Sequence, residues 1–122
     1  SLKTRRDEQI AFWRKKIEKQ PLFVAEDAKG KIVGAASANS ARTELLLLYV
    51  DATVTRQGIG SKLLEETLQN KPASIWVFET NTDGQGFYRH HGFELTAQER
   101  PSQLPGRGGA TITEVEMRRD AA

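Results

Sequence analysis

Residues 43–69 of the chain read TELLLLYVDATVTRQGIGSKLLEETLQ, and this stretch decides the fold. The apolar run from Leu45 to Val50 predicts a central strand that is buried on both faces. A short loop with Gly58 and Gly60 follows, and after it the apolar residues recur at the spacing of an amphipathic helix. A glycine turn at a helix start presents backbone N–H groups to an anion. The stretch therefore predicts a bound phosphate group.

Length and composition restrict the class of protein. With 122 residues, the chain is expected to form one domain over residues 1–122. Its net charge of +2 is too small to indicate nucleic acid, and no apolar run reaches the roughly 18 residues of a membrane span. Residues 1–6 lack the features of a secretory signal. Cysteine is absent, so thiolate catalysis and disulfides are excluded, and a cytoplasmic location is expected.

Periodicity and turn residues predict the other elements. Apolar spacing predicts a first helix over residues 7–19. Strands are predicted over residues 22–27, 31–38, 74–80, 93–99 and 111–119, the first two as an antiparallel hairpin. Another helix is predicted from Thr82, with a Thr82–Gln85 capping box, to Gly92, and residues 100–109 have the composition of a loop. This order predicts an α/β or α+β layer with a mixed sheet.

The glycine loop does not match two common nucleotide motifs. The P-loop pattern is absent, because no earlier glycine stands at the required spacing from Gly60. The dinucleotide fingerprint is also absent, because Leu63 stands where its third glycine belongs. What remains is a set of backbone N–H groups from Gln57 to Ser61, with positive charge from Arg56 and Lys62. Such a set suits a pyrophosphate.

A second motif follows the predicted strand over residues 74–80. It consists of Asn81, Gly84, Phe87, Tyr88, Gly92 and Phe93. Together with Thr-Arg-Gln-Gly-Ile-Gly at residues 55–60, it resembles the GNAT family of acetyl-CoA-dependent N-acetyltransferases over about residues 7–118. The resemblance implies an acyl-CoA N-acyltransferase-like fold, an α/β (α+β) arrangement with a mixed, mostly antiparallel sheet flanked by helices. Thr55 replaces the usual Gln or Arg, Gly84 replaces the usual alanine, and the family's first strand and helix are expected to be missing.

The resemblance also implies an activity. An acetyl group would move from acetyl-CoA directly to a primary amine in a ternary complex, since no cysteine can carry it. The acceptor, a small-molecule or peptide amine, is left open, as is a homodimer. The alternative is a catalytically silent CoA-binding or sensing module of the same fold. A nucleic-acid-associated domain using the basic residues 1–20 is a further rival, although neither nucleic acid nor a membrane is expected as a partner.

Individual residues receive roles from the same resemblance. Tyr88 is expected to act as a proton donor to the leaving sulfur, and Asn81 to bond the pantetheine arm of the cofactor. A backbone N–H near Tyr49 or Val50 is expected to stabilise the carbonyl oxygen. The residues expected to bind the pyrophosphate are Arg56, Gln57, Gly58, Ile59, Gly60, Ser61 and Lys62.

The general base has several candidates. Glu44 occupies the place of the catalytic glutamate in histone-type members of the family, and Asp51, Glu79 or a chain of waters are alternatives. His90 and His91 are adjacent on one helix and cannot share a face, so at least one is expected at the surface. With two histidines and no cysteine, no metal site is expected.

Overall fold

The computed structural model describes residues 3–6, 22–51, 58–102, 108 and 110–120. The chain divides into two compact units, Ser1–Lys71 and Pro72–Ala122. The first unit contains β1 (Lys3–Arg6), β2 (Leu22–Glu26), β3 (Ile32–Ala38), β4 (Glu44–Val50) and α1 (Ile59–Leu68). The second contains β5 (Ala73–Phe78), α2 (Thr82–His90), β6 (Glu94–Pro101) and β7 (Thr113–Arg119). The described part of the chain has no helix both long and apolar enough to cross a membrane.

The strands of the first unit pair in the order β1-β2-β3-β4, each antiparallel to its neighbour. The predicted hairpin of β2 and β3 is confirmed. Its turn is closed by Asp27, whose Oδ1 accepts hydrogen bonds from the backbone N–H groups of Lys29 and Lys31, both at 2.9 Å. Gly30 completes the turn with a φ of 80°, a conformation that favours glycine.

Strand β1 corrects the expectation that no strand precedes the first predicted helix. Its four residues pair with β2, from Lys3 opposite Glu26 to Arg6 opposite Phe23. The sequence Lys-Thr-Arg-Arg has no alternation of apolar and polar residues, so periodicity could not identify it. Main-chain pairing needs no apolar side chain, and basic residues are common on outer strands. The predicted helix over residues 7–19 lies outside the described residues.

Strand β4 has the predicted position but not the predicted burial on both faces. Ser37 of β3 pairs with Leu47, and Ala38 pairs with Leu45, so Leu46 is an extra residue that has no partner on β3. Such a bulge redirects the side chains around it. Leu46 is accordingly 39% exposed, and Tyr49 is 41% exposed.

Helix α1 forms the core of the first unit together with the strands. The side chains predicted to form its apolar stripe are all buried: Ile59, Leu63, Leu64, Thr67 and Leu68. Ile59 and Leu63 share a cluster with Ala25, Val33 and Ala36. The helix ends at Leu68, and Gln69 follows in the left-handed conformation with a φ of 54°.

The strands of the second unit pair in the order β5-β7-β6, again antiparallel. Strand β6 continues to Pro101, past the predicted boundary at residue 99. Arg100 explains the extension, because its Nε donates to Glu114 Oε1 on β7 at 2.6 Å and its guanidinium lies 4.2 Å from the ring centre of Trp76. Residues 103–107 and 109 of the predicted loop lie outside the described residues. The predicted fold class, mixed α+β with mostly antiparallel pairing, is confirmed.

Candidate active site

The glycine turn predicted from the sequence forms the start of α1. Gly58 is the N-cap residue, with φ 76° and ψ 7°, and it contributes no side-chain cap. The first turn contains no acidic residue. In an α-helix the first N–H groups have no carbonyl acceptor in a preceding turn, and the helix dipole adds a partial positive charge at that end. The start of α1 therefore has the electrostatic character of an anion site.

The residues after Gly58 differ in what they can offer a ligand. Ile59 is only 3% exposed and packs into the core, so only its backbone is available. Gly60 and Ser61 are half-buried, whereas the Lys62 side chain is exposed. The Lys62 N–H donates to the Gly58 carbonyl at 3.0 Å and closes the first turn. Arg56 and Gln57, with Thr55, lie outside the described residues.

Tyr49 and Val50 lie at the end of β4. Val50 pairs with Gly34 of β3 and packs beside the core cluster under α1, whereas Tyr49 is 41% exposed. The family resemblance predicts that a backbone N–H near these two residues donates a hydrogen bond to the carbonyl oxygen of the acetyl group. Core packing at Val50 would hold such a donor in a fixed position.

Asn81 begins α2, which corrects the predicted capping box. Its Oδ1 accepts a hydrogen bond from the Gly84 N–H at 2.9 Å, so Asn81 and not Thr82 is the N-cap. The Gln85 side chain does not bond to the N-cap residue, as a capping box would require. Its Nε2 donates instead to the carbonyl oxygens of Phe78 at 3.1 Å and Glu79 at 2.9 Å, at the end of β5.

Tyr88 lies on α2 seven residues after Asn81, which is two helical turns or about 10 Å along the axis on the same face. Its ring makes edge contacts with Phe87 at 5.3 Å and Phe93 at 5.7 Å between ring centres. Burial raises the pKa of Tyr88 to about 12. The phenol is therefore protonated at neutral pH and can donate a hydrogen bond.

The candidate bases lie in different surroundings. Glu44 is half-buried at the start of β4, where its N–H donates to Asn39 Oδ1 at 3.0 Å. Asp51 follows β4 and has Lys31 Nζ 3.9 Å from its Oδ2. Glu79 is exposed at the end of β5, and its N–H donates to the Thr113 carbonyl at 2.9 Å.

The two histidines occupy the end of α2. His90 is exposed, as expected of one of two adjacent helical residues, and His91 is half-buried with its ring centre 4.7 Å from that of Phe87. Among the residues that the structure describes, no three His, Asp or Glu side chains are grouped so as to hold a metal ion.

Gly34, which belongs to neither predicted motif, lies under the start of α1. A Cβ at this position would be 3.3 Å from Ile59 Cγ2 and 3.1 Å from the Tyr49 carbonyl oxygen. The available signal was a glycine inside a strand pattern, which often marks a close approach of another chain segment.

Comparison with known proteins gives two matches in sequence. A family model described as an acetyltransferase (GNAT) domain matches residues 18–95, which include residues of both units. The peptidyl-lysine N-acetyltransferase YjaB of Salmonella typhimurium is 33% identical over 85 residues, which are 69% of this chain and 57% of that relative. The chain thus spans less than two thirds of the length of this curated relative.

Solved structures are similar over nearly the whole chain. The IAA acetyltransferase of Bacillus cereus has a TM-score of 0.77 and 14% identity, covering 98% of this chain and 99% of its own. A GNAT family acetyltransferase of Elizabethkingia anophelis with acetyl-CoA bound has a TM-score of 0.75 and 16% identity, covering 98% and 97%. At these identities the similarity shows the fold alone. Because the family model matches more than half of the chain, the chain belongs to the GNAT family of acetyltransferases.

Proposed function

We propose that this chain is an acetyl-CoA-dependent N-acetyltransferase that transfers the acetyl group directly to a primary amine. The observation that carries the proposal is the uncapped first turn of α1 at Gly58, within the segment that matches the family model. The acetyl-CoA bound by the Elizabethkingia anophelis relative supports the choice of cosubstrate. Acetyl-CoA is available in the cytoplasm, and we propose that compartment.

The first turn of α1 would bind the pyrophosphate of the cofactor. Backbone N–H groups of residues 58–61 would donate to its oxygens, and the Lys62 side chain, with Arg56 and Gln57 ahead of the turn, would add donors and positive charge. A helix start of this kind stabilises an anion by about 0.3–1 kcal/mol when exposed and up to about 2 kcal/mol when partly buried. Gly58 and Gly60 would leave the backbone accessible to the phosphates.

Bound acetyl-CoA would supply a thioester whose acetyl carbon bonds to the amine nitrogen as the carbon–sulfur bond breaks. This chain would contribute in three places. A backbone N–H at Tyr49 or Val50 would donate to the carbonyl oxygen as negative charge develops on it. A base would take the proton that the amine loses, and Tyr88 would act at the leaving sulfur.

The raised pKa defines what Tyr88 can do there. A coenzyme thiol is comparable to cysteine, with a pKa near 8.5. Full transfer of a proton from a phenol of pKa about 12 to such a thiolate costs about 5 kcal/mol. Tyr88 is therefore better suited to stabilise the thiolate by donating a hydrogen bond than to protonate it completely.

Glu44 remains our candidate for the general base. Glu44 is only half-buried, so a bound substrate can contact its carboxylate. Asp51 is less suitable, because its carboxylate already pairs with the Lys31 ammonium, 3.9 Å away. Glu79 is more exposed, and its carboxylate is kept as an alternative.

Two measurements test the proposed function. Calorimetry with acetyl-CoA and with CoA should show binding, and a panel of amines that includes a lysine peptide should release free thiol. The lysine peptide belongs in the panel because the Salmonella typhimurium relative is a peptidyl-lysine N-acetyltransferase. Absence of binding would reject the proposal, and binding without turnover on any amine would favour the silent CoA-binding module.

A further inference from the structure

A cavity of about 240 Å³ opens on the second unit beside α2 and the strands β6 and β7. Leu95 and Val115 give it an apolar wall, and Glu79, Gln85 and Glu99 bring side-chain oxygen atoms to it. Leu95 is 49% exposed, the largest exposed fraction among the large hydrophobic residues that the structure describes. An apolar wall with a few polar groups is the usual composition of a ligand site, and the volume suits one side chain or a small molecule.

A bulge in β6 shapes the rim of this cavity. The register of β6 against β7 places residues 96–98 opposite the single residue Glu116. Ala97, within the bulge, has a φ of 73°, which is unfavourable for alanine. Ala97 and Gln98 both line the cavity. Strand β6 therefore gives up regular pairing where it borders the cavity, and bulges of this kind are frequent beside functional sites.

The two carboxylates of the cavity have no counter-ion in the described part of the chain. Neither the Glu79 nor the Glu99 side chain bonds to a donor among the described residues. Arg100 follows Glu99 directly, but successive side chains of a strand point to opposite faces of the sheet. On that other face its Nε donates to Glu114 Oε1 at 2.6 Å, and its guanidinium lies over the ring of Trp76. The cavity therefore carries negative charge that no described residue neutralises.

The carboxamide of Gln85 adds a third acceptor. Its Nε2 donates to the carbonyl oxygens of Phe78 at 3.1 Å and Glu79 at 2.9 Å, so both of its N–H groups are engaged. No donor among the described residues bonds to its Oε1. An amide whose donors are engaged can serve a ligand only as an acceptor. Gln98, on the rim, can present either end of its amide, so it does not oppose a ligand that donates.

We propose that this cavity binds the ammonium group of an aliphatic amine, with the methylene chain of the amine against Leu95 and Val115. An ammonium group has three N–H donors and no acceptor, which matches two carboxylates and the Gln85 oxygen. A planar guanidinium suits a forked pair of acceptors instead. An amine held by carboxylates is protonated and cannot attack a thioester, so the cavity recognises a cation and does not hold the reacting amine. The proposal does not depend on bound coenzyme A.

Titration of the isotope-labelled 122-residue chain with pentylammonium chloride, followed by NMR at constant ionic strength and without coenzyme A, tests the proposal. The backbone amide signals of Gln85, Leu95, Gln98 and Val115 should shift together, with a Kd in the millimolar range. Methylammonium should bind about tenfold more weakly, because each methylene that leaves water contributes up to about fourfold in affinity. Pentanol, which has the chain without the charge, should also bind more weakly.

Two matched variants separate the charge of the cavity from its apolar wall. Glu99→Gln should raise the Kd for pentylammonium about three- to tenfold. Glu94→Gln makes the same change on the same strand at an exposed residue that does not line the cavity, so its Kd should equal that of the wild type. Leu95→Ala should weaken the binding of pentylammonium but not that of methylammonium, a difference that a general loss of folding would not produce.

The same titration with Nα-acetyl-lysine methylamide identifies the source of the amine. Binding as tight as that of pentylammonium supports a lysine side chain of a peptide as the ligand, and weaker binding supports a free amine. The inference is wrong if no cavity signal shifts, if pentanol binds as tightly as pentylammonium, or if Glu94→Gln and Glu99→Gln weaken binding equally. Because no coenzyme is present, any of these results leaves the proposed function standing.

Discussion

Cδ1 of Leu63 on α1 lies 2.8 Å from the position that a Cβ on Gly34 of β3 would occupy. The missing side chain lets the helix approach the strand more closely than any other residue would allow. Ile59, the first residue of α1, packs at the same place. Since Ile59 directly follows Gly58, this contact holds the glycine turn of the candidate active site in position.

Gly34→Ala should therefore destabilise the first unit. The new methyl would press on Leu63, Ile59 and the Tyr49 carbonyl oxygen, and overpacking of a core typically costs about 1–3 kcal/mol. Chemical denaturation should show a lower midpoint. The combination with Leu63→Ala should cost less than the sum of the two single changes, because the smaller side chain makes room for the methyl. Strict additivity would contradict the contact.

Gly58→Ala should destabilise the chain for a different reason. A Cβ at Gly58 meets no atom within 4 Å, so space is not limiting, but the φ of 76° is unfavourable for alanine by about 1–2 kcal/mol. Gly58→Asn is the matched variant, because asparagine tolerates the left-handed conformation. Thermal unfolding should rank the wild type first, then Asn, then Ala. Equal melting temperatures for the two variants would argue against backbone strain.

Tyr88→Phe should lower kcat by about 10²-fold, the effect expected on removing one donor to developing charge. The substitution keeps the ring contacts with Phe87 and Phe93, so the melting temperature at neutral pH should change little. Free thiol release at saturating acetyl-CoA measures the loss. Unchanged kcat would show that Tyr88 is a packing residue only.

The raised pKa of Tyr88 predicts a loss of stability at alkaline pH. The pKa is about 12 in the folded chain and near 10 in the unfolded chain, so the unfolded chain loses this proton first as the pH rises. The stabilising contribution is fully present below pH 10 and disappears between about pH 10 and 12. Its size is about 2–3 kcal/mol. The free energy of unfolding should fall more steeply in this range for the wild type than for Tyr88→Phe, and parallel curves would contradict burial of the phenol.

Glu44→Gln should lower kcat/KM by about 10²–10³-fold and remove the acidic limb of the pH–rate profile, if Glu44 is the base. Glutamine has nearly the same shape, so folding should be preserved. Asp51→Asn and Glu79→Gln, assayed in parallel, identify the base if one of them has the larger effect. A small effect of all three substitutions would indicate a chain of waters.

Elements with a strong local pattern could be predicted from the sequence. The apolar stripe of α1 from Ile59 to Leu68 is confirmed residue by residue. Apolar side chains that recur about every 3.6 residues lie on one face only in a helix, so the pattern indicates a helix clearly. The hairpin turn at Asp27 and the left-handed Gly92, with a φ of 91°, follow from short-range backbone chemistry. The roles assigned to Tyr88 and Glu44 stay predictions.

Features that depend on distant partners could not be predicted. The bulge at Leu46 results from the register of β3 against β4, which no local pattern encodes. The cap of α2 was assigned to Thr82 because its spacing from Gln85 fits a capping box, whereas Gln85 instead donates to the end of β5. The carbonyl oxygens of Phe78 and Glu79 are acceptors that only the folded chain brings within reach of the Gln85 side chain.

The sequence by itself determined that a strand leads through a glycine turn into an amphipathic helix, because alternation, helical period and the tolerance of glycine for positive φ are properties of the local chain. Only the tertiary structure decided how closely that helix approaches β3 at Gly34. This distance depends on the volume left between atoms once the elements are packed, and that volume is fixed only when the neighbouring side chains are in place.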